Sequence, residues 1–184
     1  MSIPHTYTTR NTTGCCAIPN TGQWERKVVS FEGARFIRGY SRRVFGHPVG
    51  VDATLEHLRR QAARAGATMP PQDALILSRD LSAWRTEHLY AVTMPIHGAD
   101  NVTLSGTFAT LVFEGPEKGA AAWKEEAAAY ARQLGTSNTE VSFFHTACHD
   151  CQKRYGRNYV IAFARLAPAA STLPRTLKGH LVNR

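Results

Sequence analysis

The chain has 184 residues, enough for one domain or two small halves sharing a core, and 43% of them are hydrophobic. No apolar run approaches the ~20 residues that span a bilayer, and Met1-Ser2-Ile3-Pro4-His5-Thr6 lacks the basic and apolar regions of a secretory signal. The net charge of +8 gathers at Arg35, Arg38, Arg42 and Arg43, at Arg59, Arg60 and Arg64, and at Lys153, Arg154 and Arg157. No helix-turn-helix, zinc-finger or RNA-recognition signature accompanies it, so it reads as solvated basic surface rather than a nucleic-acid site. These features point to a cytoplasmic protein, where thiols stay reduced.

Taken in chain order, residues 1–27 read as an extended arm that carries the adjacent Cys15 and Cys16. An aromatic and β-branched stretch from Ala34 to Phe45 predicts a strand, followed by Gly46-His47-Pro48. A helix is expected from about Asp52 to Ala65, with Val51, Leu55, Leu58 and Ala62 as its buried stripe, Asp52 as N-cap and Gly66 as stop. Strands are expected at Ala74–Ser78 and His88–Ile96. A further strand, Gly106–Phe113, turns at Glu114-Gly115-Pro116 into a helix from about Glu117 to Leu134. Trp123, Ala127, Tyr130 and Leu134 mark that helix's apolar face, and Gly135 ends it. Strands at Val141–Thr146 and Tyr159–Ala164 follow, with a hairpin-like Tyr155-Gly-Arg-Asn158 between them.

The order β-α-β-β thus occurs twice, at about 34–96 and 106–164, inside a single domain at 28–166. The fold expected is α+β, with a mainly antiparallel sheet and both helices on one face. The other, concave face would be free to hold a ligand. Residues 167–184 lack periodicity and read as a flexible basic tail.

With Phe113-Glu-Gly-Pro116 entering a Trp123-bearing helix, the duplicated pattern resembles the gyrase-inhibitor-like (GyrI-like) small-molecule-binding superfamily over roughly 30–166. A tighter similarity is to a group of bacterial proteins labelled simply "hydrolase". It rests on Thr13-Gly-Cys-Cys16, Leu77-Ser78 with Ser82 and Trp84, and Val102-Thr-Leu-Ser-Gly-Thr-Phe108. It continues through Val112-Phe-Glu-Gly-Pro116, Cys148-His-Asp-Cys151 and Tyr155-Gly-Arg-Asn-Tyr-Val160. Where that group often carries Pro-Lys inside its C-x-x-C, this chain has His149-Asp150. The resemblance implies a small-molecule ligand, and either hydrolysis of a reactive or xenobiotic compound or binding alone.

Cys15, Cys16, Cys148 and Cys151 are the four cysteines of the chain, and they stand near its two ends. If the ends meet, four thiolates can hold zinc tetrahedrally, and vicinal thiols also suit softer ions such as Cu(I). His145 or His149 could replace one sulfur. A closed Cys₄ zinc site would pin the arm rather than catalyse. A redox pair at Cys148 and Cys151, or four unrelated reduced thiols, are the alternatives.

Among the remaining side chains, Glu114 is the candidate catalytic carboxylate, in phase with Phe108, Thr110 and Val112; its structural alternative is to accept hydrogen bonds from the following helix. His145 alternates with Phe143, which would turn it inward as a second catalytic candidate or as a core histidine. Trp84, Tyr90 and Tyr159 are candidate ligand-stacking surfaces, with core packing as the alternative. No G-x-S-x-G, H-E-x-x-H or P-loop is present. The functions in play are a small-molecule hydrolase, a non-enzymatic binder of a drug-like ligand or soft metal, and a thiol oxidoreductase. Composition and spacing leave the oligomeric state open.

Overall fold

The computed structural model describes residues 3–168, apart from 46, 117, 118 and 138. The first half runs β1 (Lys27–Val44), β2 (His47–Val49), α1 (Val51–Arg64), β3 (Ile76–Ser82) and β4 (Arg85–Ala91). The second runs β5 (Asn101–Glu114), α2 (Ala120–Gln133), β6 (Val141–His145), α3 (His149–Tyr155) and β7 (Tyr159–Arg165). Leaving aside the short edge strand β2 and the inserted α3, both halves are β-α-β-β and the class is α+β.

Every pairing between named strands is antiparallel, and the order β1-β4-β3-β6-β7-β5 closes because β5 also pairs with β1. The result is a six-stranded barrel with β2 appended to β1. Its seams are unequal. β1 and β5 share a register from Lys27↔Thr110 to Ile37↔Asn101, interrupted by a shift between Phe31 and Ala34 where Gly33 has φ +68°. β3 and β6 meet at Ser78↔Phe143, and Arg79 reinforces that seam through an ion pair with Glu140 at 2.6 Å.

Alternation along the strands sends one residue set inward and the other out. The inward set includes Val29, Phe31, Phe36, Leu77, Phe108, Phe144, Ile161 and Phe163, which form one core with Trp24. Part of the outward-facing set is covered by the helices. Leu58 and Ala62 of α1 pack on Ile37 and Val92, while Ala127 and Ala131 of α2 pack on Ala109, Leu111 and Ala162. Both long helices therefore lie on the convex side. The concave face expected to stay open for a ligand is curled into a barrel and filled with aromatic rings.

The plug comes from the arm. Trp24 is fully buried, with its ring 5.3 Å from that of Phe163 and its carbonyl accepting from Thr110 Oγ1 at 2.5 Å. Further out, the amides of Thr6 and Tyr7 both donate to Gln72 O, and Tyr7 bridges Pro19.

Several boundaries differ from expectation. β1 begins at Lys27 and β5 at Asn101, because pairing between them carries both strands beyond their apolar centres. β4 stops at Ala91, and Gly50 rather than Asp52 is the N-cap of α1. The hairpin-like stretch after Cys151 is instead the end of a helix. Asp150 in the first turn and Lys153 and Arg154 in the last suit the helix dipole, and Gly156 at φ +65° stops it. The expected tail lies outside the described residues beyond 168.

Candidate metal centre and neighbouring side chains

Three short-range features shape the arm around its cysteines. Asn11 Oδ1 accepts from the Gly14 amide at 2.8 Å, and Gly14 takes φ +74°, a conformation that suits glycine. Thr13 Oγ1 then accepts from the amides of Cys15 and Cys16 at 3.3 and 3.2 Å and donates to Cys16 O at 3.0 Å. This nested turn fixes Cys15 and Cys16 side by side. The other pair is set by α3, where Cys148 is the N-cap and Cys151 lies one turn on.

The two pairs meet. The four Sγ atoms all lie within 4.8 Å of one another, with Cys15–Cys16 at 3.7 Å and Cys15–Cys148 at 3.9 Å. With Zn–S bonds of about 2.3 Å, tetrahedral zinc needs sulfurs about 3.8 Å apart. The donor set therefore fits a single soft or borderline ion, and all four cysteines are free of disulfides.

Surrounding contacts hold the frame. The Cys148 amide donates to Cys16 Sγ at 3.4 Å, Tyr155 OH donates to Cys16 O, and Arg154 Nη1 donates to Thr13 O at 3.3 Å. Burial pushes the Cys16 thiol well up, and its thiol neighbours add to this. Burial also raises Cys151, but contacts with Thr13, Cys16 and Cys148 outweigh it and bring that thiol down to about 7. Tyr7, whose hydroxyl donates to Thr146 O at 2.7 Å, is raised by burial and by the adjacent thiolates. Four thiolates this close repel one another, and a bound cation is the group that would relieve them.

Beside the cluster lies a cleft of about 180 Å³, lined by Ile18, Pro19, Thr146, Ala147, Tyr155, Arg157 and Tyr159. That is below the ~300 Å³ at which drug-sized pockets begin. Glu114 and Tyr159 are register partners on β5 and β7. Arg157 joins them, donating to Tyr159 OH at 2.9 Å and standing 3.7 Å from the Glu114 carboxylate.

The other expected site residues lie elsewhere. Trp84 is 70% exposed on the β3–β4 turn, where its carbonyl accepts from the Arg43 amide. Glu114 ends β5, beyond the Lys27↔Thr110 pair at the start of β1, whereas Trp84 lies by the other end of β1, so the two do not share a site. Tyr90 is half-buried against α1, with its hydroxyl pKa raised by burial. His145 does share a face with Phe143, but that face is the outer one and His145 is exposed. The His149 side chain lies outside what is described.

The family described as bacterial hydrolase matches residues 6–166, a span that takes in the arm, both cysteine pairs and the whole barrel. The chain belongs to the bacterial hydrolase family. No curated protein matches it. A solved structure, that of SAV2435 bound to tetraphenylphosphonium, is similar over 78% of this chain and 94% of the other, at 13% identity and a TM-score of 0.43. Among the described residues, no helix is long and apolar enough to cross a membrane.

In this bacterial hydrolase family member the ionisable side chains of Glu87 and His88 are buried, and sequence reading did not single them out as site residues. Glu87, on the inner face of β4, accepts from Arg79 at 2.7 Å and lies 3.5 Å from Arg38, which also pairs with Asp100. His88, 1% exposed, contacts Ser41 Oγ through Nε2 and Ser78 Oγ through Nδ1, each at 2.8 Å. Burial, helped by the nearby His145, lowers its pKa to about 4, so the ring is neutral. Ser41 and Ser78 come from different strands, and no local motif links either to His88.

Proposed function

We propose that this protein is a small-molecule hydrolase whose N-terminal arm is fastened across one end of the barrel by a zinc ion. The observation that carries this is the convergence of Cys15, Cys16, Cys148 and Cys151 within 4.8 Å inside a domain of the bacterial hydrolase family. Sulfur separations near the zinc tetrahedron support a closed, structural site with no free coordination position. The ion would hold the Asn11–Cys16 turn against α3, and so keep Trp24 seated in the barrel. The β-α-β-β duplication supports a GyrI-like relationship. The small size of the cleft beside Tyr159 favours a compact ligand or one group of a larger one.

Metal analysis with thiol titration on wild type and on Cys16→Ser tests the clasp. One zinc per chain, lost in the variant, is the expected outcome. Four freely titrating thiols with no metal would overturn it. The hydrolase assignment is tested separately, by turnover of small activated esters and other electrophiles.

Exposure of Cys15 and Cys148 favours a second role, the capture of a softer ion such as Cu(I). Displacement of zinc by Cu(I) at equal stoichiometry, without product formation from any substrate, would select it.

A further inference from the structure

The outer face of β3 lies between two helices. α1 packs on β1 and β4, α2 packs on β7, β5 and β6, and β3 stands between β4 and β6 in the sheet. On this face the register brings Ser78 beside His88 on one side and Phe143 on the other, and Ile76 beside Tyr90. Three polar groups run inward from solvent. Ser78 is half-buried, while His88 behind it and Ser41 beyond are both buried. Asp80 shares the face but is engaged, accepting from Thr86 Oγ1 at 2.7 Å and pairing with Arg43 at 2.5 Å.

A neutral imidazole has one N–H and one lone-pair nitrogen, so it can accept from one serine and donate to the other. With Nε2–H donating to Ser41, Nδ1 is left to accept the Ser78 hydroxyl proton. A half-buried nucleophile, a base in hydrogen-bond contact and a third group orienting that base form the constellation of serine acyl transfer. It is recognised by geometry, which is why the missing G-x-S-x-G does not exclude it.

We propose that Ser78 and His88 are the nucleophile and general base of a carboxylic-ester hydrolase, with Ser41 as the positioning residue. This rests on the hydrolase assignment above and moves its chemistry from Glu114 to the convex face. The half-buried Ile76, Tyr90 and Phe143 beside Ser78 suit an ester with a small apolar acyl group. In the first step the Ser78 Oγ–H bond breaks, its proton passes to His88 Nδ1, and Oγ bonds to the acyl carbon as the carbonyl π pair moves onto the carbonyl oxygen. The oxyanion pair then re-forms the carbonyl as the bond from the acyl carbon to the alkoxy oxygen breaks, and the leaving alcohol takes the proton from His88. Water, deprotonated by His88, attacks the acyl-serine, releasing the acid and restoring the Ser78 hydroxyl.

The test uses full-length zinc-loaded protein, 4-nitrophenyl acetate and a fluorophosphonate probe. Expected are one phosphonyl group per chain, mapped to Ser78, and esterase turnover lowered on the order of 10³-fold by Ser78→Ala. Ser41→Ala should lower kcat on the order of tenfold with KM unchanged, and Ser41→Thr should restore it. The wild-type labelling map needs no variant, so misfolding of a variant cannot obscure the result. Turnover that survives Ser78→Ala, with the label elsewhere, would overturn this site and leave the hydrolase assignment standing. Turnover kept in Ser78→Ala but lost in Cys16→Ser would place the chemistry outside Ser78, at or dependent on the clasp, and overturn it equally. Labelled Ser78 without ester turnover would overturn the ester-hydrolase proposal and leave the hydrolase assignment to the separate screen of other electrophiles. Absence of both label and turnover would overturn this site, and the hydrolase assignment falls with it only if the other electrophiles are not turned over either.

Discussion

The amide of Cys148 donates to the sulfur of Cys16 at 3.4 Å, across 132 residues of chain. This contact joins the N-terminal arm to the start of α3 and orients a thiol that a metal ion would share with its neighbours. Backbone N–H groups aimed at ligand sulfurs stabilise the charged thiolate, in the way partners beyond the ligands commonly orient them.

Because the proposed zinc clasp would close a long loop, chelating the ion should loosen the arm first. With zinc at a thousandfold over its dissociation constant, removal would cost about 4 kcal/mol, or a fall in Tm of about 10 °C for a domain of this size. Calorimetry before and after a strong chelator measures this. Trypsin should then cut at Arg10, whose backbone carbonyl otherwise accepts from the Ile18 amide. An unchanged Tm and an uncut Arg10 would count against the clasp.

Trp24 and Trp84 should behave in opposite ways. Trp24 is fully buried against Phe163, so Trp24→Ala should cost about 3–5 kcal/mol. Trp84 is 70% exposed, and Trp84→Ala should change stability by less than about 0.5 kcal/mol. Urea midpoints for the two variants, compared at constant m-value, decide the matter. A costly Trp84→Ala would point to an undetected contact on the β3–β4 turn.

His88 makes stability depend on acid. Its folded pKa of about 4 lies below the unfolded value of about 6.5, so the unfolded chain binds the proton more readily. Its contribution is complete above pH 6.5 and is lost as pH falls towards 4, amounting to about 2–3 kcal/mol. His145 faces it and depresses the pKa further, while Asp80 and Glu87 oppose that shift. The unfolding free energy of wild type should therefore fall more steeply than that of His88→Asn between pH 6.5 and 4.

Gly39 sits under α1 for want of space. A Cβ there would lie 3.0 Å from Thr54 Cγ2 and 3.1 Å from Leu58 Cδ1. Gly39→Val should therefore lift the helix from β1 and cost about 1–3 kcal/mol. A stability change below about 0.5 kcal/mol would mean that α1 shifts without strain.

Much of the fold was legible in the residues. The stripe ending in Leu58 and Ala62, the Gly66 and Gly135 stops and the repeated β-α-β-β order are local signals, and local structure follows them. The long β1 was only half visible. Its first residues, Lys27 to Gly33, owe their strand geometry to β5 rather than to their own pattern. The helix at His149–Tyr155 was missed because seven residues carry too little periodicity to be told from a turn.

The candidate site divides in the same way. Residue type and placement alone were enough to mark the four cysteines as one potential centre, since thiols near both chain ends have few other shared uses. Their separations are a product of tertiary structure, because Thr13 turns one pair and α3 presents the other. Curvature decided the rest. Closure of β5 onto β1 turned an expected open face into a filled interior, separated Trp84 from Glu114 and put His145 outside. Pairing of β4 with β1 and with β3 gathered Ser41, Ser78 and His88 from three strands. Strand-to-strand register is set by pairing across the whole chain, and a sequence read along its length carries that information only weakly.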